Sequence, residues 1–246
     1  MPTITINNRI IMKSLLVCST TLLAAASLVA ADKDDVTSAA QKLAGADNYS
    51  WTTTMESSQF NPGPSHGKTL KDGLVWQDFT MQDNTVEAFA KSGKGAIKTD
   101  DGWQTLDDAA KDDGGGGGNF TRFLAMRMRD FKAPAAQAEE IAGKTKDLAK
   151  TGDTYAGDLT EEGAKSLMTF GRRGGQGQRP DISNAKGSVK FWIKDGVLTK
   201  YQTKVSGTMK DRNGDDRDID RTTTVEIKDV GSTKITVPNE AKSKMS

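Results

Sequence analysis

The chain has 246 residues, with 34 basic and 33 acidic side chains, one histidine and one cysteine. This balance of charge argues against a general nucleic-acid-binding protein, which usually carries a basic excess. A single histidine and a single cysteine exclude an intramolecular disulfide, a cysteine cluster and a zinc site built on two histidines.

The first predicted element is a secretory signal peptide over residues 1–31, with a better start at Met12 than at Met1. Lys13 supplies the positive region, an apolar run follows, and small side chains permit cleavage near Ala30 or Ala31. The apolar run is shorter than the roughly 20 residues of a membrane span, which makes a retained anchor the less favoured alternative. We therefore predict a secreted protein of the periplasm with no membrane span after cleavage.

The predicted signal peptide also removes the cysteine. Cys18 lies within it, and Val17 precedes Cys18 where a lipoprotein signal needs a small residue, so we predict no lipid attachment. Because Arg9 and Lys13 leave with the signal, the net charge changes from +1 to −1. Residues 32–246 are enough for a single domain.

The first half of this domain is predicted to be a helix followed by strands. Apolar residues recur at helical spacing over residues 34–46 and alternate over residues 49–55. Further strands are predicted over residues 68–81, 84–91, 95–99 and 102–104.

Glycines 114–118 then interrupt the pattern. They predict a flexible loop or tether. A phosphate-binding loop needs a lysine and a hydroxyl residue at set spacing, and the run has neither.

Three helices are predicted next. Asn119 caps the first helix, and Pro134 opens a second whose apolar stripe runs to Ala149 before Gly152. Thr160 caps a third helix after a short strand over residues 154–159. One side of the first helix carries Phe120, Phe123, Leu124, Met128 and Phe131.

The last part of the chain is predicted to be strands of strong alternation. They cover residues 188–194, 197–208, 221–230 and 234–237. Asp195-Gly196 and Asn213-Gly214 are typical hairpin turns, which favour antiparallel pairing. The order of elements predicts an α+β fold whose antiparallel sheet has one solvated face, where Lys200, Gln202 and Lys204 lie.

No reaction chemistry is recognisable, so we predict that the chain is not an enzyme. His66 is isolated in a Pro-Gly-rich turn, and a catalytic triad would have to use it. We predict no metal site and no cofactor. The segment 211–218 resembles a calcium loop, but Asp216 and Thr222 stand where that loop needs Gly and Glu, so a hairpin explains it better.

Two further features have open interpretations. The Gly/Arg-rich loop 171–180 is either solvated or a contact for anionic lipid head groups or nucleic acid, through Arg172, Arg173 and Arg179. Four tryptophans either line an apolar pocket or pack an ordinary core, and these are Trp51, Trp76, Trp103 and Trp192.

The sequence also resembles a family. It combines a short amphipathic helix, Tyr49-x-Trp51 on a first strand, and a closing pattern over residues 188–241 that includes Val237-Pro238-x-Glu240-Ala241. This is similar to the LolA/LppX/LprG-type superfamily of envelope lipoprotein and lipid carriers, and to exported bacterial proteins without an assigned activity. The resemblance implies a curved antiparallel half-barrel with helices covering its concave face over an apolar cavity, and no catalytic residues.

A one-sided sheet with separate amphipathic helices can enclose an apolar cavity. We therefore predict a non-catalytic periplasmic binding module for an acyl chain, a lipid or a lipoprotein, with no nucleic-acid partner. The alternative is a structural or protein-interaction component of the cell envelope without a ligand. The period of each element predicts the residues that face the ligand, which are Trp51, Met55, Phe120, Phe123, Leu124, Phe191, Ile193, Tyr201, Val225 and Ile227.

Overall fold

The computed structural model describes residues 20–58, 61–81, 84–111, 118–169, 182–210 and 214–245. Within these ranges the chain forms six helices and eleven strands. The helices are α1 Thr20–Ala44, α2 Leu106–Ala109, α3 Gly118–Arg129, α4 Pro134–Gly143, α5 Glu161–Met168 and α6 Asn239–Lys244. The strands are β1 Asn48–Ser57, β2 Ser65–Leu70, β3 Val75–Met81, β4 Asn84–Lys91, β5 Lys94–Thr99, β6 Gly102–Thr105, β7 Ala149–Thr151, β8 Thr154–Asp158, β9 Ile182–Lys194, β10 Val197–Lys210 and β11 Asp216–Lys228.

All eleven strands belong to one antiparallel sheet with the order β6-β5-β4-β3-β2-β1-β11-β10-β9-β8-β7. The sheet is curved and unclosed, and β6 and β7 are its edges. Two meanders, β1–β6 and β7–β11, meet where β1 pairs with β11. This arrangement confirms the predicted α+β half-barrel.

The topology explains why helices cover the concave face. The chain leaves one edge at β6 and re-enters at the opposite edge, β7, so the intervening segment has to cross the sheet. This segment contains α2, α3 and α4. An apolar sheet face must be buried against another layer, and these helices, with α1 and α5, supply it.

The opposite face is covered by a helix at the β4–β6 end. There α6 places Ala241 against Phe89 and Ala96, and Trp76 and Trp103 pack around them. Sequence analysis did not predict α6, and the strand predicted over residues 234–237 is irregular chain leading into it.

Other predicted boundaries also differ from the observed ones: β9 and β11 begin earlier than predicted, at Ile182 and Asp216, and two elements end early. The single strand predicted over residues 68–81 is two strands, because the chain turns at Gly73 with a φ of 84°. The helix opened by Pro134 ends at Gly143, so Leu148 and Ala149 are not part of its stripe. Leu148 is nevertheless buried, at 1% exposure.

The predicted cap of α5 is confirmed. Thr160 Oγ1 accepts a hydrogen bond from the backbone amide of Gly163 at 3.0 Å, which satisfies one of the free amides of the first turn. Glu161 and Glu162 lie in that turn, where their charges suit the helix dipole.

Helix α1 begins well before the predicted start at Asp34 and continues through the predicted cleavage point. Polar residues just after that point bind the body of the domain. Lys33 Nζ donates to the Thr145 carbonyl at 2.6 Å, and the Asp35 carboxylate accepts from the Tyr155 hydroxyl at 2.8 Å. The chain from Lys33 onward is therefore anchored in the fold, while cleavage itself stays a prediction.

Helix α4 carries a carboxylate with two cation partners, and this predicts a pH effect. Glu140 accepts from Lys132 Nζ at 2.7 Å and from Lys144 Nζ at 2.6 Å, and these bonds lower its pKa to about 2. Since the folded-state pKa lies below the ordinary 4.5, the stabilisation is present above pH 4.5 and is lost as the pH falls towards 2. The side chain is 40% exposed, which limits the contribution to about 1 kcal/mol or less.

We therefore expect Glu140→Gln to lower the free energy of unfolding modestly at pH 7 and to equal the wild type near pH 2. Urea unfolding at a series of pH values measures the difference. Lys132→Met should move the pKa of Glu140 back towards its ordinary value, as followed by carboxyl NMR. A deficit of Glu140→Gln that stays constant from pH 7 to pH 2 would contradict the interpretation.

Candidate ligand-binding site

The predicted strand residues do share the inner face of the sheet. Strand pairing places Trp51 opposite Ile227, Tyr201 opposite Val225, and Phe191 opposite Tyr201. Alternate residues point to the other face, where Lys200 pairs with Glu226 at 3.0 Å. The predicted division into an inner face and a solvated outer face therefore holds for these residues of β1 and β9–β11.

Burial differs among the predicted site residues. Five are core residues with at most 4% exposure: Trp51, Leu124, Phe191, Tyr201 and Val225. Three are partly buried against that core: Phe120, Ile193 and Ile227. Met55 is half-buried on the same face, opposite Thr223.

Phe123 is the exception, because its predicted inward orientation is wrong. It is 37% exposed, whereas Leu124, Ala125 and Met128 are buried at 1% exposure or less. The buried side of α3 thus contains Leu124 rather than Phe123.

This orientation predicts a contrast between neighbours. Phe123→Asp should lower the free energy of unfolding much less than the same change at Leu124, because 37% of Phe123 is already exposed to solvent. Leu124→Asp should be strongly destabilising, because it buries an unpaired charge. Thermal unfolding followed by circular dichroism measures both. Loss of the cooperative transition in Phe123→Asp alone would refute the placement.

Trp51 is the centre of the inner face beneath the helices. Its ring stacks on Phe131 with a centroid distance of 5.8 Å and an interplanar angle of 11°. Gly67 on the neighbouring strand makes room for it, since a Cβ there would lie 2.0 Å from the indole ring. The tryptophan therefore fits into a space that only glycine leaves open.

The other tryptophans predicted as pocket candidates lie elsewhere. Trp76 and Trp103 pack on the outer face near α6. Trp192 is also on the outer face, with Lys190 Nζ and Lys200 Nζ at 5.1 and 5.2 Å from its ring. An apolar pocket lined by all four tryptophans is thus excluded, and only Trp51 belongs to the inner face.

Two tyrosine hydroxyls lie inside the half-barrel. The Tyr201 hydroxyl donates to Gln137 Oε1 at 3.0 Å, and burial raises the pKa of Tyr201. The Tyr49 hydroxyl accepts from the Ala135 amide at 3.4 Å, and burial raises the pKa of Tyr49 to about 12. These hydroxyls remain neutral and act as hydrogen-bonding groups.

In the part of the chain that the structure describes, two buried side-chain polar atoms have no hydrogen-bond partner, Gln77 Oε1 and Arg127 Nε. Such groups are rare in native cores and call for a physical reason. Arg127 lies on the buried stripe of α3, three residues after Leu124, with its guanidinium 5.5 Å from the ring centroid of Phe79. Sequence analysis did not identify Arg127, although helical spacing from Leu124 placed it on that stripe.

Two grooves among the described residues are open and lined by polar and apolar groups alike. One of about 950 Å³ crosses strands β1 and β8–β11 on the outer face, between Glu56, Asp158 and Lys204. The other, of about 480 Å³, lies between α1 and the β7–β8 hairpin, near Asp35 and Lys150. Neither is the predicted apolar cavity.

The remaining predictions concern reactive groups. His66 lies on β2 rather than in a turn, with Nδ1 3.0 Å from Asp78 Oδ2 at an exposed position. The described residues contain no cluster of three or more histidine, cysteine, aspartate or glutamate side chains that would suit a metal ion. The loop 171–180 and nearly all of the glycine run lie outside the described residues, as do positions 211–213.

None of the helices in the described ranges is both long enough and apolar enough to cross a membrane.

Comparison with solved structures finds two similar proteins of interest. The chain is similar to the crystal structure of LprF from Mycobacterium bovis, with 10% identity and a TM-score of 0.44 over 86% of this chain and 98% of that chain. It is also similar to a LolA superfamily protein from Nitrosomonas europaea, with 7% identity and a TM-score of 0.31 over 85% and 95% of the two chains. No protein-family model and no curated protein matches the sequence.

Proposed function

We propose that this chain is a non-catalytic binding module of the periplasm whose half-barrel takes up a hydrophobic ligand such as an acyl chain, a lipid or a lipoprotein. One observation carries the proposal: one cluster of buried apolar side chains on the inner face reaches from β5 to β8, and separate helices rather than a second sheet cover it. A single helix can move away from such a face while the strands keep their pairing.

The helix best suited to move is α3, which we call the cover helix. Its contacts include apolar packing through Leu124, Ala125 and Met128, the guanidinium of Arg127 over the Phe79 ring, and an ion pair of 3.3 Å between Arg129 and Asp107. Exposed ion pairs contribute about 0–1 kcal/mol, so this one adds little.

Helix α1 is held differently. Its Lys33 and Lys42 donate to the backbone carbonyls of Thr145 and Asp195, and its Asp35 accepts from Tyr155. These bonds attach α1 to three separate parts of the domain, so we assign movement to the cover helix and a fixed position to α1.

A displaced cover helix would leave an apolar trough. The strand and helix residues beneath it include Phe79, Ile97 and Leu106, all at most 6% exposed when the helix is in place. An acyl chain lying in this trough would restore the burial that the helix side chains supplied. Because the acyl chain would replace the side chains of the cover helix, the protein could take up an apolar chain although its interior is filled when no ligand is bound.

The filled interior also favours the alternative, a structural or interaction protein without a ligand. Phe191, Leu43 and Leu198 are fully buried, and the two grooves described above are open rather than enclosed apolar cavities. In that case the cover helix is a permanent part of the core.

Native mass spectrometry of protein purified from an envelope fraction, together with titration of a fluorescent fatty acid, tests the proposal. We expect bound lipid and saturable probe binding. Leu124→Ala should weaken the closed state and raise the rate of uptake at least about tenfold, since more of the protein is then open. Leu43→Ala, a matched truncation in α1, should lower stability without accelerating uptake.

A protein that carries no extractable lipid, and that fails to bind the probe in the wild type and in Leu124→Ala, would support the alternative. Equal acceleration of uptake by both truncations would also count against a specific role of the cover helix, because it would point to general loosening of the fold.

A further inference from the structure

A buried glutamine lies on the inner face of the sheet. Val75, Gln77 and Phe79 alternate along β3 and are all buried, with Gln77 at 1% exposure. Cross-strand pairing sets Gln77 between Gly67 of β2 and Ala88 of β4. Its carbonyl oxygen, Oε1, has no hydrogen-bond partner in the described ranges. A buried acceptor without a partner costs free energy, and an apolar side chain at the same position would avoid that cost.

The end of the cover helix lies over this glutamine. The guanidinium of Arg127 is 5.5 Å from the ring centroid of Phe79, which is two residues further along β3 on the same face. One helical turn after Arg127, Phe131 stacks on Trp51 with 5.8 Å between the ring centroids. The Trp51 ring covers the cross-strand neighbour of Gln77 on β2. These contacts place Gln77 beneath the segment from Arg127 to Phe131.

The same segment supplies an unused donor. Arg127 Nε is inaccessible to solvent and, like Gln77 Oε1, has no hydrogen-bond partner among the residues that the structure describes. The guanidinium of arginine only donates and the carbonyl oxygen of glutamine only accepts, so the two atoms are complementary. They do not bond to each other. A group placed between them therefore has to accept from Arg127 and donate to Gln77.

We infer that Arg127 Nε and Gln77 Oε1 bind the amide linkage of an N-acylated ligand whose alkyl chain lies under the cover helix. The inference rests on the proposed function and adds the class of ligand. A secondary amide has a carbonyl oxygen for Arg127 and an N–H group for Gln77, so it satisfies both atoms. An ester has only acceptors and would leave Gln77 Oε1 without a donor.

The position of Gln77 suits this division of the ligand. From Gln77 the row of cross-strand partners continues through Ala88 to Ile97, both of which are fully buried. Ile97 belongs to the apolar trough beneath the cover helix. An alkyl chain in the trough would thus begin beside the two polar atoms that hold its amide.

Calorimetric titration with three ligands of one chain length tests the inference: N-methyldecanamide, N,N-dimethyldecanamide and methyl decanoate. The first ligand accepts and donates, whereas the other two only accept. Wild-type protein should bind N-methyldecanamide about 5- to 100-fold more tightly than either of the others, the range expected for satisfying one buried acceptor. Burial in a purely apolar site would favour the opposite order, because the N–H group would lose its hydrogen bonds to water.

Variants of the two residues separate their roles. Gln77→Met keeps an unbranched side chain of similar length and should abolish the preference while retaining N,N-dimethyldecanamide binding. Gln202→Met is the same chemical change on the outer face, where the amide donates to Thr224 at 3.0 Å, and should keep the preference. Arg127→Met removes the donor to the carbonyl oxygen and should weaken the binding of all three ligands.

The outcomes distinguish the inference from the proposed function. Failure of the wild type to bind any of the three ligands would overturn both. Equal or weaker binding of N-methyldecanamide would overturn the inference alone and point to a water molecule between the two atoms. An unchanged preference in Gln77→Met would also overturn it, as would unchanged affinities in Arg127→Met. If Gln77→Met fails to fold, Gln77→Leu is the second variant with the same expected loss, and the order of the three affinities in the wild type decides without either.

Discussion

Replacing Phe191 with Ala should lower the free energy of unfolding by about 3–5 kcal/mol, the usual range for truncating a fully buried phenylalanine. Phe191 has no exposed surface and packs against Tyr201, with ring centroids 6.4 Å apart. It lies on β9 near the middle of the inner face, between β8 and β10. Its removal leaves a void where helices and strands meet.

The adjacent residue is the matched control. Trp192 points to the outer face and contacts Lys190 and Lys200 rather than the core. We expect Trp192→Ala to cost about 1 kcal/mol, because exposed cation–π contacts contribute little more than this. Urea unfolding of both variants measures the difference between the two faces of one strand. A Trp192→Ala variant as unstable as Phe191→Ala would refute the one-sided character of the sheet.

Gly157→Ala should destabilise the fold by about 3 kcal/mol or more, at the upper end of the range for overpacking. A Cβ at this position would lie 1.7 Å from the carbonyl oxygen of Asp147 and 3.1 Å from the Cα of Leu148. Both atoms belong to the backbone, so they cannot rotate away as a side chain would. The segment before β7 has to separate from β8, although the Lys146 amide is bonded to the Asp158 carbonyl at 2.8 Å.

Gly143→Ala is the same chemical change where there is space. Gly143 ends α4, and a Cβ there meets no atom within 4 Å. Alanine favours helix over glycine by up to about 1 kcal/mol, so this variant should be neutral or more stable. Differential scanning calorimetry compares the two melting temperatures. Similar losses in both variants would show that the close approach at Gly157 does not limit stability.

The sheet could be predicted from the sequence because apolar and polar side chains alternate along its strands. One face is buried and the other is wet, so Phe191 and Trp192 differ in environment although they are neighbours. Where only two or three residues end a strand or a helix, the spacing of apolar residues predicted the wrong boundary. The alternation over residues 68–81 continues through the turn at Gly73, and the apolar spacing after Pro134 continues beyond the end of α4.

The candidate site was predictable only in part. Periodicity placed Trp51, Tyr201 and Val225 on the inner face, since each strand obeys its own alternation. In a helix, the spacing of apolar residues does not determine which of two adjacent residues at the edge of the buried side points inward. This is why Phe123 was predicted to face inward. Arg127 was missed for a different reason: a charged residue is ordinarily assigned to solvent, and its burial depends on the position of Phe79, about 50 residues earlier.

The pairing of β1 with β11 has a consequence for how the chain reaches its native state. These strands join residues far apart in the sequence, and the Ser50 hydroxyl donates to Asp229, 179 positions away. Contacts of such sequence separation slow folding, because a long loop must be closed before they form. The two meanders cannot unite until β11 has been synthesised. A chain secreted as we propose would thus remain incompletely folded while its first part crosses the membrane, which is the state that export through a narrow channel requires.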